Sequence, residues 1–161
     1  MLRTALRPAT ASFRSIAARP TALPAFRTLV TKRYTPEHEW VSYDDKTGLG
    51  TIGITDYAQK ALGDVVYVEL PAKSTHVAAH EQIGAVESVK AASDIFAPVG
   101  GQVVEVNEEL DGQPDLLNKA AESDGWLAKI KLSNPGEFEE LLSADAYKVH
   151  CEGGKEAEAD A

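Results

Sequence analysis

Gly84-Ala85-Val86-Glu87-Ser88-Val89-Lys90-Ala91-Ala92-Ser93-Asp94 is the most informative segment of the chain. β-Branched and apolar residues lead into it from Ile83 to Val89, and a second apolar run, Ile95-Phe96-Ala97, leads away. Two such runs around a short break predict paired strands. Ala91, Ala92 and Ser93 are small enough to let the chain reverse. The stretch therefore predicts a β-hairpin with Lys90 at its tip and an acid on either side, Glu87 and Asp94.

Lys90 is also isolated, because residues 74–118 contain no other lysine or arginine. An exposed lysine is by default a solvated charge. Its isolation, its small neighbours and its place between two similar segments set this one apart. A primary amine held out in a defined turn suits an amide-forming ligase, and the flexible stem extends the reach of whatever is attached. A Schiff-base or general-base lysine needs burial instead. Attachment is favoured over catalysis here.

Outward from the hairpin, Gly63-x-Val65-Val66-x-Val68 recurs 38 residues later as Gly101-x-Val103-Val104-x-Val106. This echo predicts two similar β-halves packed as a sandwich. Leu49, Ile52 and Ile54 among glycines predict another strand, as does the alternation of Ala128, Ile130 and Leu132 with Lys129 and Lys131. Thr55-Asp56 predicts a cap for a short helix over 57–62, which Gly63 ends. Asn134-Pro135 followed by Glu137 marks a second helix start, and Ser143 a third over 144–149, with Tyr147 packing back on the sheet. Residues 152–161 are rich in Gly, Ala and acid and are expected to fray.

The charge is divided between two parts of the chain. Of 161 residues, the first 36 carry seven basic groups and no acid, whereas the remainder carries 9 basic and 25 acidic groups, a net of -16. Residues 1–33 combine Arg, Ala, Ser and Thr without an apolar core of the secretory kind, the pattern of a mitochondrial transit peptide. We set them outside the fold and expect cleavage between Arg27 and Thr35. Residues 34–151 are then one domain, too short for two hydrophobic cores. A surface at -16 repels nucleic-acid phosphates, and no run of about 18 apolar residues offers a membrane span. Beyond Arg33 there is no arginine, hence no guanidinium fork for phosphate or carboxylate recognition. The single cysteine, Cys151, cannot form a disulfide within the chain.

Residues 84–91 resemble the lipoylation motif of the glycine cleavage system H-protein family. His38-Glu39-Trp40-Val41, Gly53-Ile54-Thr55-Asp56-Tyr57-Ala58, the run from Leu62 to Pro71, Asp124-Gly125-Trp126 and residues 141–147 match further family motifs in order. The resemblance covers residues 34–151. It implies a mainly β fold, a barrel-sandwich hybrid (lipoyl-domain-like) of two antiparallel sheets with short helices and a C-terminal helical segment. It also implies lipoate joined covalently to Lys90, with Glu87, Ser88, Val89 and Ala91 forming the hairpin that lipoylating enzymes recognise. The implied role is that of a non-catalytic carrier in the mitochondrial matrix. Its partners would be the P protein (glycine decarboxylase), the T protein (aminomethyltransferase) and the L protein (dihydrolipoyl dehydrogenase). Family members are also linked with relaying lipoyl groups to other complexes. A cleft for the aminomethyl-bearing arm is implied at Glu39 and Asp94, while Glu37 stands where relatives commonly have a smaller polar residue.

Other readings are weaker. Lipoyl or biotinyl modules of acyltransferases and carboxylases resemble Asp-Lys-Ala or Met-Lys-Met at the target lysine, whereas this chain has Val89-Lys90-Ala91. An unmodified β-scaffold with an inert Lys90 would look alike at this level. His76 and His80 have a metal-binding spacing only if they lie on a helix, and Pro71, Ser74 and Thr75 before them predict a loop. Cys151 and His150 are adjacent, so a helix would not face them toward one another. Trp40 and Trp126 are expected in the core, and the acids at 137, 139 and 140 on a solvated helix face.

Overall fold

In the computed structural model, which describes residues 30–159, the 84–94 stretch is the turn-over from β6 (Gln82–Ser88) to β7 (Ala92–Phe96). With β4 (Val65–Glu69) on the other side of β6, these strands form a three-stranded sheet. The second sheet has six strands. Its order is β1 (Val30–Tyr34), β2 (Glu39–Asp44), β3 (Leu49–Ile54), β9 (Ala128–Leu132), β8 (Gly101–Val106) and β5 (His76–Val77). Every pairing in both sheets is antiparallel.

The inward residues of both sheets meet in one core. Val41, Ile52, Val86, Val99, Val103, Leu110, Leu117, Leu127 and Ile130 are each at most 1% exposed. Each such side chain contributes about 1.5–3 kcal/mol, so the core rather than any of the short helices holds the fold. The expected barrel-sandwich architecture is what the chain adopts.

The helices are α1 (Asp56–Leu62), α2 (Glu109–Gly112), α3 (Leu116–Ala120), α4 (Pro135–Glu140) and α5 (Ala144–Ala159). Thr55 caps α1, accepting from the Ala58 N–H at 3.3 Å, and Gly63 ends it at φ 81°. Asn134 caps α4 through the Gly136 N–H at 3.1 Å. Ser143 does the same for α5 through Ala146 at 3.3 Å.

The repeated valine motif folds alike in both copies. Register shifts between Val65 and Tyr67 in one ladder and between Val103 and Glu105 in the other. In each copy the first valine is buried and the second, Val66 or Val104, is pushed outward. The extra residue of a β-bulge explains both. The two copies nevertheless lie in different sheets.

Several sequence expectations need correction. Val30–Arg33, set outside the fold above, form most of β1, pairing with β2 from Val30↔Asp44 to Tyr34↔Trp40. Lys32 anchors the strand: its Nζ lies 2.9 Å from Glu122 Oε2 and 4.2 Å from the centre of the Trp40 ring. Basic composition concealed a strand whose cations have specific partners. Residues 1–29, which hold the rest of the expected transit segment, lie outside the described residues. Helix α5 runs on to Ala159, through most of the segment expected to fray; Glu, Lys and Ala in that segment are good helix formers extending a helix already nucleated. His76 lies in the short strand β5 rather than a loop. Trp126 is half-exposed under Lys129, whose Nζ is 4.6 Å from its ring centre. Its neighbour Leu127 takes the inward direction in the extended chain. Glu137 is not simply solvated, since its carboxylate accepts the Gly100 N–H at 2.7 Å.

Candidate functional site

Ser88 closes the hairpin tip. Its N–H donates to the Ala91 carbonyl at 2.7 Å, while its hydroxyl oxygen accepts from Ala91 N–H at 3.0 Å and Lys90 N–H at 3.3 Å. Two-residue hairpin loops usually use left-handed residues, glycine above all. Neither Val89 nor Lys90 has a positive φ. The serine side chain supplies the closure instead, which frees the tip to carry a long side chain. Lys90 and Val89 are both exposed, and Glu87 lies on the outer face beside them.

A platform holds the tip from below. Val89 N–H donates to the Asp64 carbonyl at 3.0 Å, tying the turn to the start of β4. Asn118 in α3 secures that start: its amide donates to Gly63 O at 2.9 Å and Gln59 Oε1 at 3.0 Å, and its oxygen accepts from Val65 N–H at 2.9 Å. Gly63 is required here twice. Its φ of 81° suits glycine, and a Cβ at this position would come within 3.2 Å of Lys90 Cε. The lysine stem lies over this bare backbone. Among the described residues, Lys90 Nζ has no ion-pair or hydrogen-bond partner.

Glu39 is buried, 4% exposed, at the start of β2. Its Oε2 accepts from the Thr35 hydroxyl and its Oε1 from Phe96 N–H at 3.2 Å, so the carboxylate bridges the two sheets. Burial holds its pKa above the usual carboxylate range, against the hydrogen bonds from Thr35 and Phe96 that favour ionisation. A cavity of about 210 Å³ opens beside this bridge, lined by Glu37, His80 and Phe96. Asp94 lies two residues before Phe96 on β7, exposed, its Oδ1 accepting from Gln82 Nε2 at 2.8 Å. It is not part of that cavity's lining. The structure thus joins Glu39 and Phe96 directly and leaves Asp94 farther along the same strand.

Sequence reasoning passed over Thr35, Phe96, Gln82, Gln59 and Asn118. Their roles arise from contacts between distant segments, and only Asn118, a polar residue beside apolar Leu116 and Leu117, carried any local hint. Tyr147 packs back on the sheet as expected, 8% exposed, but its polar partners join distant segments and were not foreseen. Tyr147 OH shares 2.8 Å hydrogen bonds with His38 Nδ1 and Thr55 Oγ1, and its ring stacks on Tyr34 at 4.6 Å. Burial lowers the His38 pKa, with the nearby His150 acting in the same direction. Burial raises that of Tyr147.

Two antiparallel sheets around one core present an exposed lysine on a closed hairpin, without an ion-pair or hydrogen-bond partner for its amine among the described residues. A family model described as "Glycine cleavage H-protein" matches residues 32–153, and the chain belongs to that family. The glycine cleavage system H protein of Thermotoga maritima is 52% identical over 120 residues, 74% of this chain and 95% of that protein. The putative mitochondrial glycine cleavage system H protein of Schizosaccharomyces pombe is 50% identical over 121 residues, 75% and 70% respectively. A crystal structure of a glycine cleavage system H protein from Mycobacterium marinum superposes with TM-score 0.66 at 38% identity, covering 72% of this chain and 92% of that one. Members of this family are non-catalytic carrier subunits, and this chain is one of them. No helix among the described residues is long and apolar enough to cross a membrane.

Proposed function

We propose that the chain is the lipoyl carrier of a mitochondrial glycine cleavage system, with lipoate held as an amide on Lys90. The observation that carries this is the tip itself: an isolated amine, without a partner among the described residues, on a turn locked by Ser88, its stem laid over the bare Gly63. That tip fits the group, because the amine is free to acylate and the turn keeps its shape when the lysine changes. When bound, lipoate supplies a dithiolane that accepts aminomethyl from the P protein, yields it to the T protein and passes electrons to the L protein. Glu87, Ser88, Val89 and Ala91 present the lysine to lipoylating enzymes. The buried Glu39 and the exposed Asp94 are the carboxylates this reading assigns to the arm's amine. An amine is cationic near neutral pH, and a carboxylate kept partly desolvated attracts it more strongly than a solvated one. Glu37 on the cavity wall adds to that field.

The matrix location rests on the acid-free composition of the first 29 residues and on the mitochondrial name of the fission-yeast relative. With β1 in the fold, the removable segment ends before Val30 in this reading. Intact-mass measurement of protein made in lipoate-replete mitochondria tests the assignment. A lipoyl adduct is expected in the wild type and none in Lys90→Arg, which should fold normally because the side chain is exposed. A biotin-sized adduct, no adduct, or glycine turnover supported by Lys90→Arg would each overturn it.

A further inference from the structure

We infer that Val66, Tyr67 and Val89 form the seat on which the enzyme that acylates Lys90 docks; this rests on the carrier reading above. Large apolar side chains are seldom left exposed together without a partner. Val66 and Tyr67 are each 53% exposed and Val89 is 70% exposed. Val66 and Tyr67 lie in β4 and Val89 directly follows β6, all at the hairpin end of the β4–β6 ladder. Val65 pairs with Ser88 and Tyr67 with Glu87, and Val89 is hydrogen-bonded to Asp64. The bulge between Val65 and Tyr67 turns both Val66 and Tyr67 outward, where regular alternation would bury one of them.

The position of the lysine selects the occupant. Its stem lies over Gly63, with Cε 3.2 Å from where a Cβ would stand, and so it leans to the β4 side of the hairpin. Val66 begins three residues further along, about 10 Å at the rise of a strand. An enzyme acting on the remote end of an attached arm can keep away from this surface. The enzyme that forms the amide cannot, since its reaction centre must reach Nζ. There the neutral amine attacks the acyl carbon of an activated donor, an acyl-adenylate made from the acid and ATP. The N–C bond forms, the acyl C–O bond breaks, AMP leaves with the electron pair, and the amine gives up a proton to solvent or base.

The rim defines the partner's charge. Asp64, Glu69 and Glu87 surround the apolar residues, are exposed, and have no cationic partner among the described residues. A complementary surface has an apolar centre and a basic border.

The test is acylation of the full chain by a lipoate–protein ligase supplied with lipoate, ATP and magnesium, comparing wild type with Val66→Ser, Tyr67→Ser and the double variant. Val104→Ser is the control: it alters the matching bulge residue of the other motif copy, in the other sheet. Thermal melts and circular dichroism establish that each variant is folded. The expected result is KM raised roughly tenfold in the double variant with kcat little changed, and the control unaltered. Wild-type acylation with unchanged KM in the double variant overturns the seat and leaves the carrier reading intact. Normal acylation combined with impaired glycine turnover assigns the surface to a downstream enzyme and also overturns it. Failure of the wild type itself to be acylated overturns the carrier reading and this inference together.

Discussion

Glu39 shows how one side chain's surroundings oppose its ionisation. Its folded pKa lies above the ordinary value of 4.5, burial being the larger cause. For an acid shifted upward, the folded state binds the proton more tightly than the unfolded chain. The associated stability is complete below 4.5 and is lost as pH rises through the elevated folded value. Glu39→Gln removes that loss while keeping an acceptor for Phe96 N–H. In urea melts at pH 7 the variant is expected to be no less stable than wild type, with its advantage shrinking toward pH 4. A wild type clearly more stable at pH 7 would contradict this. If the charge serves the cationic arm, the same variant shortens the lifetime of the aminomethyl-loaded protein, read by the rate at which the loaded mass decays.

At the scale of elements, the hairpin depends on its platform as much as on its own turn. Asn118→Ala removes two hydrogen bonds at the start of β4 and one to the Gln59 side chain of α1. The expected cost is about 1–3 kcal/mol in denaturant melts, since the Val65 and Gly63 backbone groups lose partners. Slower ligase acylation should accompany it, although Lys90 itself is untouched. Strand β1 makes a second prediction. A chain beginning at Val30 is expected to melt like one carrying the whole N-terminal segment, whereas one beginning at Thr35 loses the Lys32–Glu122 pair and the Tyr34–Tyr147 stack. A Tm lower by roughly 10 °C is expected for the shorter chain. Equal melting would mean that β1 is dispensable.

For the whole molecule, the sequence from Val30 onward has 11 basic and 25 acidic groups, a net of -14. Lys32 and Arg33, counted at first with the basic segment, stay with the domain. This field favours encounter with basic enzyme surfaces and opposes self-association. Because salt screens such attraction over about 8–10 Å, kcat/KM with a docking enzyme is expected to fall several-fold between low and physiological ionic strength. A flat salt profile would show that apolar contact alone guides the encounter.

The hairpin, the main strands, the caps at Thr55, Asn134 and Ser143, and the tip lysine were legible in the sequence because each rests on local pattern: apolar period, cap chemistry and small residues at a turn. Tertiary structure decided the rest. It buried Glu39 between the sheets, laid Lys90 over Gly63, recruited Asn118 to support the turn, drew residues 30–33 into β1 and gave Tyr147 its partners His38, Thr55 and Tyr34. Each of these joins segments distant in the chain, and their contacts exist only after the two sheets have closed around the core. Local pattern was enough to single out one amine; the packed fold set what holds that amine and what lies beside it.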